Sequence, residues 1–255
     1  MKKKMIIWSL ILFLCSCSIT SNDKVIEKVL VPKEKKVNSW TGTKVNFSKY
    51  DLYKDSSITK YDLYKDSSIT KYVDNKVHYN NLEYIPENLV DLKWKYLIDI
   101  KNNQKVRKIM LDNLEKLSKD FYNTFNKKLK IVSAYRGYKY QKWIKDRGCS
   151  DIFCANAGYS EHQSGLAVDF WEATEEKRFK ENEELKTYFN WMKGNWAKYG
   201  FTNTYQKWIK IDWYSVEPWH WRYVWVELAT YLKKEDITFA EFYYKNNNPP
   251  LTPPL

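Results

Sequence analysis

The sequence predicts an α+β domain in which a small mixed or antiparallel sheet is flanked by helices. Two observations lead to this fold class. Tryptophan, tyrosine and leucine become dense from about residue 78, and about 165 residues follow up to Tyr244, which is enough for one complete core. Within this region, helical and strand-like patterns succeed one another without the regular alternation that predicts a parallel α/β sheet.

The predicted elements follow from the spacing of apolar residues. Helical spacing predicts helices at 106–125, 138–147, 183–199, 226–233 and 239–244. Alternation and short apolar runs predict strands at 129–134, 165–171, 201–205 and 219–223. Gly148 and Gly200 directly follow two of the predicted helices, and glycine at that position commonly ends a helix.

The chain begins MKKKMIIWSLILFLCSCS, in which three lysines precede ten mostly apolar residues. This run is shorter than the about 20 residues needed to cross a bilayer, and it is typical of a secretory signal peptide. Its end is similar to a lipoprotein cleavage box. We therefore predict a lipoprotein-type signal at residues 1–16 and a lipid-modified Cys17. The alternatives are an ordinary signal or an uncleaved anchor. A lipoprotein would be held in a membrane of the cell envelope, facing the periplasm or the cell exterior.

Residues 17–77 are polar and rich in lysine, and they contain a tandem repeat. The sequence YDLYKDSSITK occurs at residues 50–60 and again at 61–71. Polar composition without a sustained apolar period predicts a tether that buries little surface. The alternative is that aromatic residues of the repeat form short strands on the domain. The globular domain is then predicted at residues 78–255, with a short proline-rich tail.

The remaining cysteines and the net charge indicate in which compartment the protein resides and which partners it binds. Cys149 and Cys154 form an even pair, which outside the cytoplasm is typical of a disulfide, although two buried thiols are the alternative. The net charge of +12 includes the three lysines of the signal. For an exported protein this charge favours an anionic envelope polymer over nucleic acid, which we do not expect as a partner. We expect a monomer.

The stretch SEHQSGLAVDF, residues 160–170, predicts a metal site. His162 and Asp169 would lie about 23 Å apart in an extended chain, so the chain must turn back for both to bind one ion. Gly165 permits that turn. A third ligand is available in EPWHWRY, where His220 would complete two imidazoles and one carboxylate. Such a set leaves a fourth position open for water, the pattern of catalytic zinc.

Two further side chains suit a hydrolytic reaction. Glu217 precedes His220 by three residues, and a carboxylate beside an open metal position can accept the proton of the bound water. Arg136, in SAYRGYKYQ, is able to stabilise an oxyanion or bind a substrate carboxylate. The alternative for Arg136 is a structural arginine stacked among tyrosines.

These motifs, together with KYGF, resemble in their order the VanY-type zinc D-alanyl-D-alanine carboxypeptidases. That family belongs to a clan of hedgehog-like and lysostaphin-like zinc peptidases. The resemblance extends from YIPENLVDL near residue 84 to TFAEFY near residue 243, and so covers roughly residues 78–245. It implies a fold of the hedgehog and D-Ala-D-Ala-peptidase type. It also implies that one Zn²⁺ is bound by His162, Asp169 and His220, and that Glu217 is the general base.

The resemblance further implies that Arg136 stabilises the transition state, and that Gln141 and Ser160 lie in the substrate cleft. The implied reaction removes the terminal D-alanine from a peptidoglycan stem peptide, and the implied partner is that peptide. Two alternatives stay open: an L,D-carboxypeptidase or endopeptidase on the same fold, and a non-catalytic zinc-containing binding module. The glutamate argues against the binding module, because a structural zinc needs no base. Departures from the family pattern concern the substrate pocket and occur at Gly137, Ala157 and Trp225.

Overall fold

The computed structural model describes residues 62–207 and 209–247 of the chain. The predicted signal peptide, the lipidation site Cys17, the tether up to residue 61 and the proline-rich tail lie outside the described residues. Within the described ranges, no helix combines the length and the apolar character needed to cross a bilayer.

Across the described residues, the β structure consists of a five-stranded mixed sheet and a two-stranded ribbon, which confirms the predicted α+β class. The strands, numbered along the chain, are β1 (Leu89–Asp91), β2 (Leu97–Asp99), β3 (Lys105–Arg107), β4 (Leu129–Ser133), β5 (Ala167–Phe170), β6 (Phe201–Thr202) and β7 (His220–Tyr223). The sheet has the order β2-β4-β5-β7-β6, in which β2 and β4 are parallel and the other neighbours antiparallel. The ribbon pairs β1 with β3 in antiparallel fashion.

The helices lie largely where apolar spacing predicts them. In the described ranges they are α1 (Leu111–Phe125), α2 (Tyr138–Asp146), α3 (Glu176–Glu181), α4 (Glu183–Asn195), α5 (Ile209–Asp212), α6 (Val226–Glu235) and α7 (Phe239–Asn247). The buried stripe of α1 consists of Leu114, Leu117 and Phe121, at the spacing of one helix face. The sequence analysis missed β1, β2, α3 and α5, because three to six residues are too few to show a period.

The first predicted helix begins too early. Val106 lies in β3, where it pairs with Val90, and helix α1 starts at Leu111 after a 3-10 turn over Lys108–Met110. The valine is fully buried. A buried valine satisfies either a helical stripe or a strand, so its own sequence neighbourhood does not decide between them. Pairing with the distant β1 decides for the strand.

The second long helix ends in a tighter turn. Helix α4 stops at Asn195, and residues Trp196–Tyr199 continue as a 3-10 helix up to Gly200. Gly200 has a φ of 78°, and an added Cβ would lie 2.7 Å from the ring of Tyr223. Glycine is therefore required there by both the backbone conformation and the close approach of β7.

The second copy of the tandem repeat packs on the domain, and this corrects the predicted boundary at residue 78. Leu63, Ile69 and Tyr72 belong to the hydrophobic core, with exposed fractions of 7%, 0% and 1%. The segment contributes no strand among the described residues, so the alternative of short strands is not what the structure shows either. Its polar side chains are satisfied locally instead: Asp62 accepts hydrogen bonds from the backbone N–H groups of Tyr64 and Lys65. The polar composition of the second copy therefore led to the prediction of an exposed tether, although the segment is partly buried.

Candidate metal centre and active site

Sheet register brings two of the three predicted ligands together. Strands β5 and β7 are neighbours, and their register places Asp169 directly opposite His220. His162 lies on a 3-10 turn over Glu161–Ser164, which leads into β5. Gly165 ends this turn with a φ of 67°. The chain reversal between His162 and Asp169 is therefore made by a short turn that ends at a left-handed glycine.

The three donor groups converge. His162, Asp169 and His220 each offer one ligand atom, and these atoms lie within 4.8 Å of one another. Oδ1 of Asp169 lies 3.2 Å from Nε2 of His162 and 3.0 Å from Nδ1 of His220. The other nitrogen of each ring is engaged elsewhere: Nδ1 of His162 with the carbonyl of Ala134 at 2.7 Å, and Nε2 of His220 with Glu161 at 2.8 Å. Each ring is thus oriented with one nitrogen toward the shared position.

The electrostatics suit a divalent cation. Burial lowers the pKa of His162 to about 4, so this imidazole is neutral and able to bind a metal. Although burial opposes it, the two histidines hold the pKa of the Asp169 carboxyl well below its usual range. Burial also opposes charge on His220, but hydrogen bonds to Asp169 and Glu161 raise its pKa to about 10. Its Nδ1, which faces Asp169, is the atom at which a metal ion would replace a proton.

The three donor residues line a cleft with a volume of about 260 Å³, and Glu217 lines it too. Burial raises the pKa of its carboxyl to about 8, against the opposing charge of His220. The backbone around it is held firmly. Asn203 Nδ2 donates to the carbonyl oxygens of Glu217 at 2.8 Å and His220 at 2.6 Å, and the Glu217 N–H donates to Tyr205. The carboxylate and the ligand three residues later are therefore positioned by one side chain.

Arg136 reaches the cleft from the end of β4. Its Nη1 lies 3.3 Å from Ser133 Oγ and 3.8 Å from Asp169 Oδ2, and its side chain is 22% exposed. Its backbone N–H donates to the carbonyl of His162. The guanidinium thus stands beside the ligand cluster, where it can meet an anionic group of a bound molecule.

The two predicted substrate residues differ in position. Ser160 lines the cleft and is buried, with an exposed fraction of 2%. Gln141 is fully buried and is not among the residues that line the cleft; its Nε2 donates to the carbonyl of Ala155 at 2.7 Å. Because Ala155 does line the cleft, Gln141 supports its wall from behind.

The structure joins Cys149 and Cys154 in a disulfide whose Cα atoms are 5.8 Å apart. Both cysteines line the cleft, together with Phe153. Lys145 Nζ donates to the carbonyl oxygens of both cysteines, at 3.1 and 2.9 Å. The short loop therefore forms part of the cleft wall and is anchored to α2.

Sequence analysis missed Glu161. Its side chain is fully buried, and Oε2 accepts hydrogen bonds from Nε2 of His220 and from Thr204 Oγ1, both at 2.8 Å. It therefore fixes the ring orientation of a ligand 59 residues away. The only local signal is an acidic residue beside a histidine in a segment that is otherwise buried. That signal does not predict His220 as the hydrogen-bond partner.

The small mixed sheet and its adjoining loops bring two histidines, two carboxylates and an arginine to one cleft. This is the donor set of a hydrolase-type metal site. The family follows from comparison with known sequences. Residues 103–226 match the VanY family, described as D-alanyl-D-alanine carboxypeptidase. This part of the chain, just under half of its length, is therefore a VanY-type domain.

Relatives share this region of the chain. The Bacillus subtilis (strain 168) protein YodJ is 36% identical over 127 residues, which cover 46% of each chain. The match thus spans about half the length of this relative. Among solved structures, the LdcB LD-carboxypeptidase is 29% identical, with a TM-score of 0.59 over 71% of this chain and 87% of its own. A vancomycin-resistance D,D-pentapeptidase VanY in complex with Zn(II) is 23% identical, with a TM-score of 0.51 over 67% and 96%. This last likeness shows the fold alone.

Proposed function

We propose that this protein is a zinc-dependent D,D-carboxypeptidase that removes the terminal D-alanine from peptidoglycan stem peptides. One observation carries the proposal: the donor atoms of His162, Asp169 and His220 converge within 4.8 Å in a cleft that Glu217 and Arg136 also line. The family description supports the reaction.

Zinc is the metal that this donor set favours, since two imidazole nitrogens and one carboxylate are typical of catalytic zinc. A protein of the same fold was crystallised with Zn(II). When bound, the ion supplies Lewis acidity and an acidified water at its open position.

The protein's own groups supply the remaining chemistry. Glu217 accepts a proton from the attacking water and returns it to the nitrogen of the departing D-alanine. Its pKa, raised to about 8 by burial, suits this exchange, and a neighbouring cation would lower that pKa and favour the ionised form at neutral pH. Arg136 places a positive charge where the terminal carboxylate or the developing oxyanion is held.

One specific alternative is an L,D-carboxypeptidase, because the LdcB LD-carboxypeptidase is 29% identical to this chain and has a TM-score of 0.59. An L,D-enzyme would cut a tetrapeptide stem and spare a pentapeptide. We expect the zinc-loaded protein to release D-alanine from the pentapeptide at least about tenfold faster than from the tetrapeptide, a difference of about 1.4 kcal/mol in activation free energy. Amino-acid release from both peptides, followed by chromatography, measures this. The reverse order would favour the L,D-enzyme, and binding without release would favour a binding module.

Anchoring is part of the same proposal. The motif around Cys17 supports lipid attachment, and residues 18–61 would then separate the domain from a membrane of the cell envelope. We further propose that the protein acts there as a monomer.

Glu161→Gln is expected to weaken zinc binding by about 10- to 100-fold, the range for losing a hydrogen-bond partner of a metal ligand. Glutamine keeps the shape of the side chain but removes the charge that holds the Nε2 proton of His220. Competition with a chromogenic chelator measures the affinity. Glu172→Gln is the matched control, because Glu172 is an exposed carboxylate paired with Lys130 on the surface. Unchanged zinc affinity in Glu161→Gln would contradict the positioning role.

A further inference from the structure

The second repeat copy lies in a groove built from distant parts of the domain. Its carbonyl oxygens accept hydrogen bonds from two buried arginines, its Asp66 carboxylate receives two backbone N–H groups, and the tyrosine after the copy stacks on α7. These contacts are Arg107 Nη2 to Ser67 O at 3.1 Å, Arg222 Nη2 to Ile69 O at 2.9 Å and to Lys71 O at 3.3 Å, the N–H groups of Asn80 and Asn81 to Asp66 at 2.8 Å each, and Tyr72 on Tyr243 at 4.1 Å.

The conformation of the docked copy is set by bonds within the copy itself. Thr70 Oγ1 donates to the carbonyl of Asp62 at 3.3 Å, and Lys71 Nζ donates to the carbonyl of Tyr64 at 2.9 Å. The Tyr72 N–H donates to the carbonyl of Leu63. A segment that folds on its own hydrogen bonds can be replaced by any segment of the same sequence.

The chain contains such a segment directly before it. Residues 50–61 read YDLYKDSSITKY, and residues 61–72 read the same twelve letters. All groove contacts given above fall within residues 62–72. Ile58 is therefore the counterpart of the fully buried Ile69, and Tyr61 is the counterpart of Tyr72.

We propose that this groove is a docking site for the repeat motif and that the first copy, residues 50–61, is its alternative ligand. When the first copy docks, residues 62–72 leave the groove as an eleven-residue loop, and the chain rejoins the domain at Val73. Loop-closure entropy grows only logarithmically with length, so this insertion is tolerable. Asp74 holds the chain just after Val73 whichever copy is docked, because its carboxylate accepts hydrogen bonds from the N–H groups of Lys76 and Val77 at 2.7 Å each.

Exchange between the copies has two consequences. Arg222 also donates to the Ser164 hydroxyl and to the carbonyl of Glu161, so the groove lies directly behind the turn that carries His162. When one repeat copy leaves the groove, the carbonyl oxygens of the other copy accept the hydrogen bonds of this buried arginine. Exchange also changes the chain length between the amino terminus and the domain by eleven residues, up to about 35 Å of reach. This second consequence depends on the proposed membrane anchor, but docking itself does not.

Substituting the two isoleucines in the full-length chain tests the proposal. Ile58→Asp should leave the melting temperature within about 2 °C of the parent, because the second copy still docks. Ile69→Asp should lower it by less than about 4 °C, because the first copy takes the groove. The double variant should lose more than about 8 °C, since a charge would then enter the core in either register. If Ile69→Asp alone lost as much as the double variant, or the double variant lost nothing, the proposal would be overturned.

Hydrogen exchange followed by mass spectrometry gives a second readout that does not depend on global stability. The substitution makes the two copies distinguishable by mass. In Ile69→Asp, we expect backbone protection to move from residues 62–72 to residues 51–61, whereas in Ile58→Asp it should remain on the second copy. Loss of protection on the second copy without a gain on the first would count against exchange. Neither readout uses peptidase activity, so failure here is distinguishable from failure of the proposed function.

Discussion

Glu217→Gln should lower kcat by about 10²- to 10⁴-fold while leaving zinc bound, the usual range for losing general acid–base catalysis. The loss corresponds to about 3–5 kcal/mol of activation free energy. Glutamine preserves the shape of the side chain and its hydrogen-bonding capacity but cannot accept the proton of the attacking water. The three ligands are untouched, so the metal content of the variant should equal that of the parent. Single-turnover kinetics on the pentapeptide and metal analysis of the same sample measure both quantities.

Two outcomes would contradict this assignment. Loss of zinc from Glu217→Gln would make the glutamate a ligand, and unchanged turnover would remove it from the chemistry. Glu172→Gln is the control here too, because its exposed carboxylate lies outside the cleft. An active parent with an inactive, zinc-loaded variant would also exclude the binding module, since such a module has no turnover to lose.

His162→Ala should abolish turnover and weaken zinc binding by more than about 100-fold. Loss of a ligand should cost more affinity than loss of a hydrogen-bond partner of a ligand, for which about 10- to 100-fold is expected. Only two ligands remain, and the carbonyl of Ala134 loses its partner on the ring. Calorimetric titration with zinc and metal analysis after dialysis measure the effect. Treating the parent with a chelator should abolish turnover reversibly in the same assay.

His78→Ala is the matched control, since the chain has only 3 histidines. His78 hydrogen-bonds the carbonyl of its neighbour Tyr79 and contacts the ring of Tyr159, and it does not belong to the ligand cluster. Its substitution should leave zinc affinity and kcat unchanged. Equal zinc loss in both variants would show that the effect of His162→Ala is not specific to coordination.

Much of the fold was predictable because its signals are local. Helix α1 shows its buried stripe within fifteen residues, and Gly200 marks a stop that its left-handed backbone requires. The three-residue strands β1 and β2 carry no such signal. Strands β1 and β2 form only because β3 and β4 lie beside them. Val106 shows the same limit, since its position in β3 depends on Val90.

The candidate site divides in the same way. The sequence alone predicted the three donors, because two histidines and an aspartate in these motifs stand out in a chain with 3 histidines, and the structure brings their donor atoms within 4.8 Å. Only the tertiary structure decided how the ring of His220 is oriented, since its partner Glu161 is 59 residues away. It also decided that Gln141 lies behind the cleft wall, which depends on which face α2 buries.

The repeat shows the difference most clearly. The sequence by itself determined that two identical segments stand in tandem. It could not determine that the second segment is buried, because its composition is that of a solvated tether. Burial was decided by groups far along the chain: Arg107 and Arg222 satisfy its carbonyl oxygens, and Tyr243 covers Tyr72. Local hydrogen bonding is encoded within a few residues, whereas burial depends on surfaces that exist only after the distant parts of the chain have assembled.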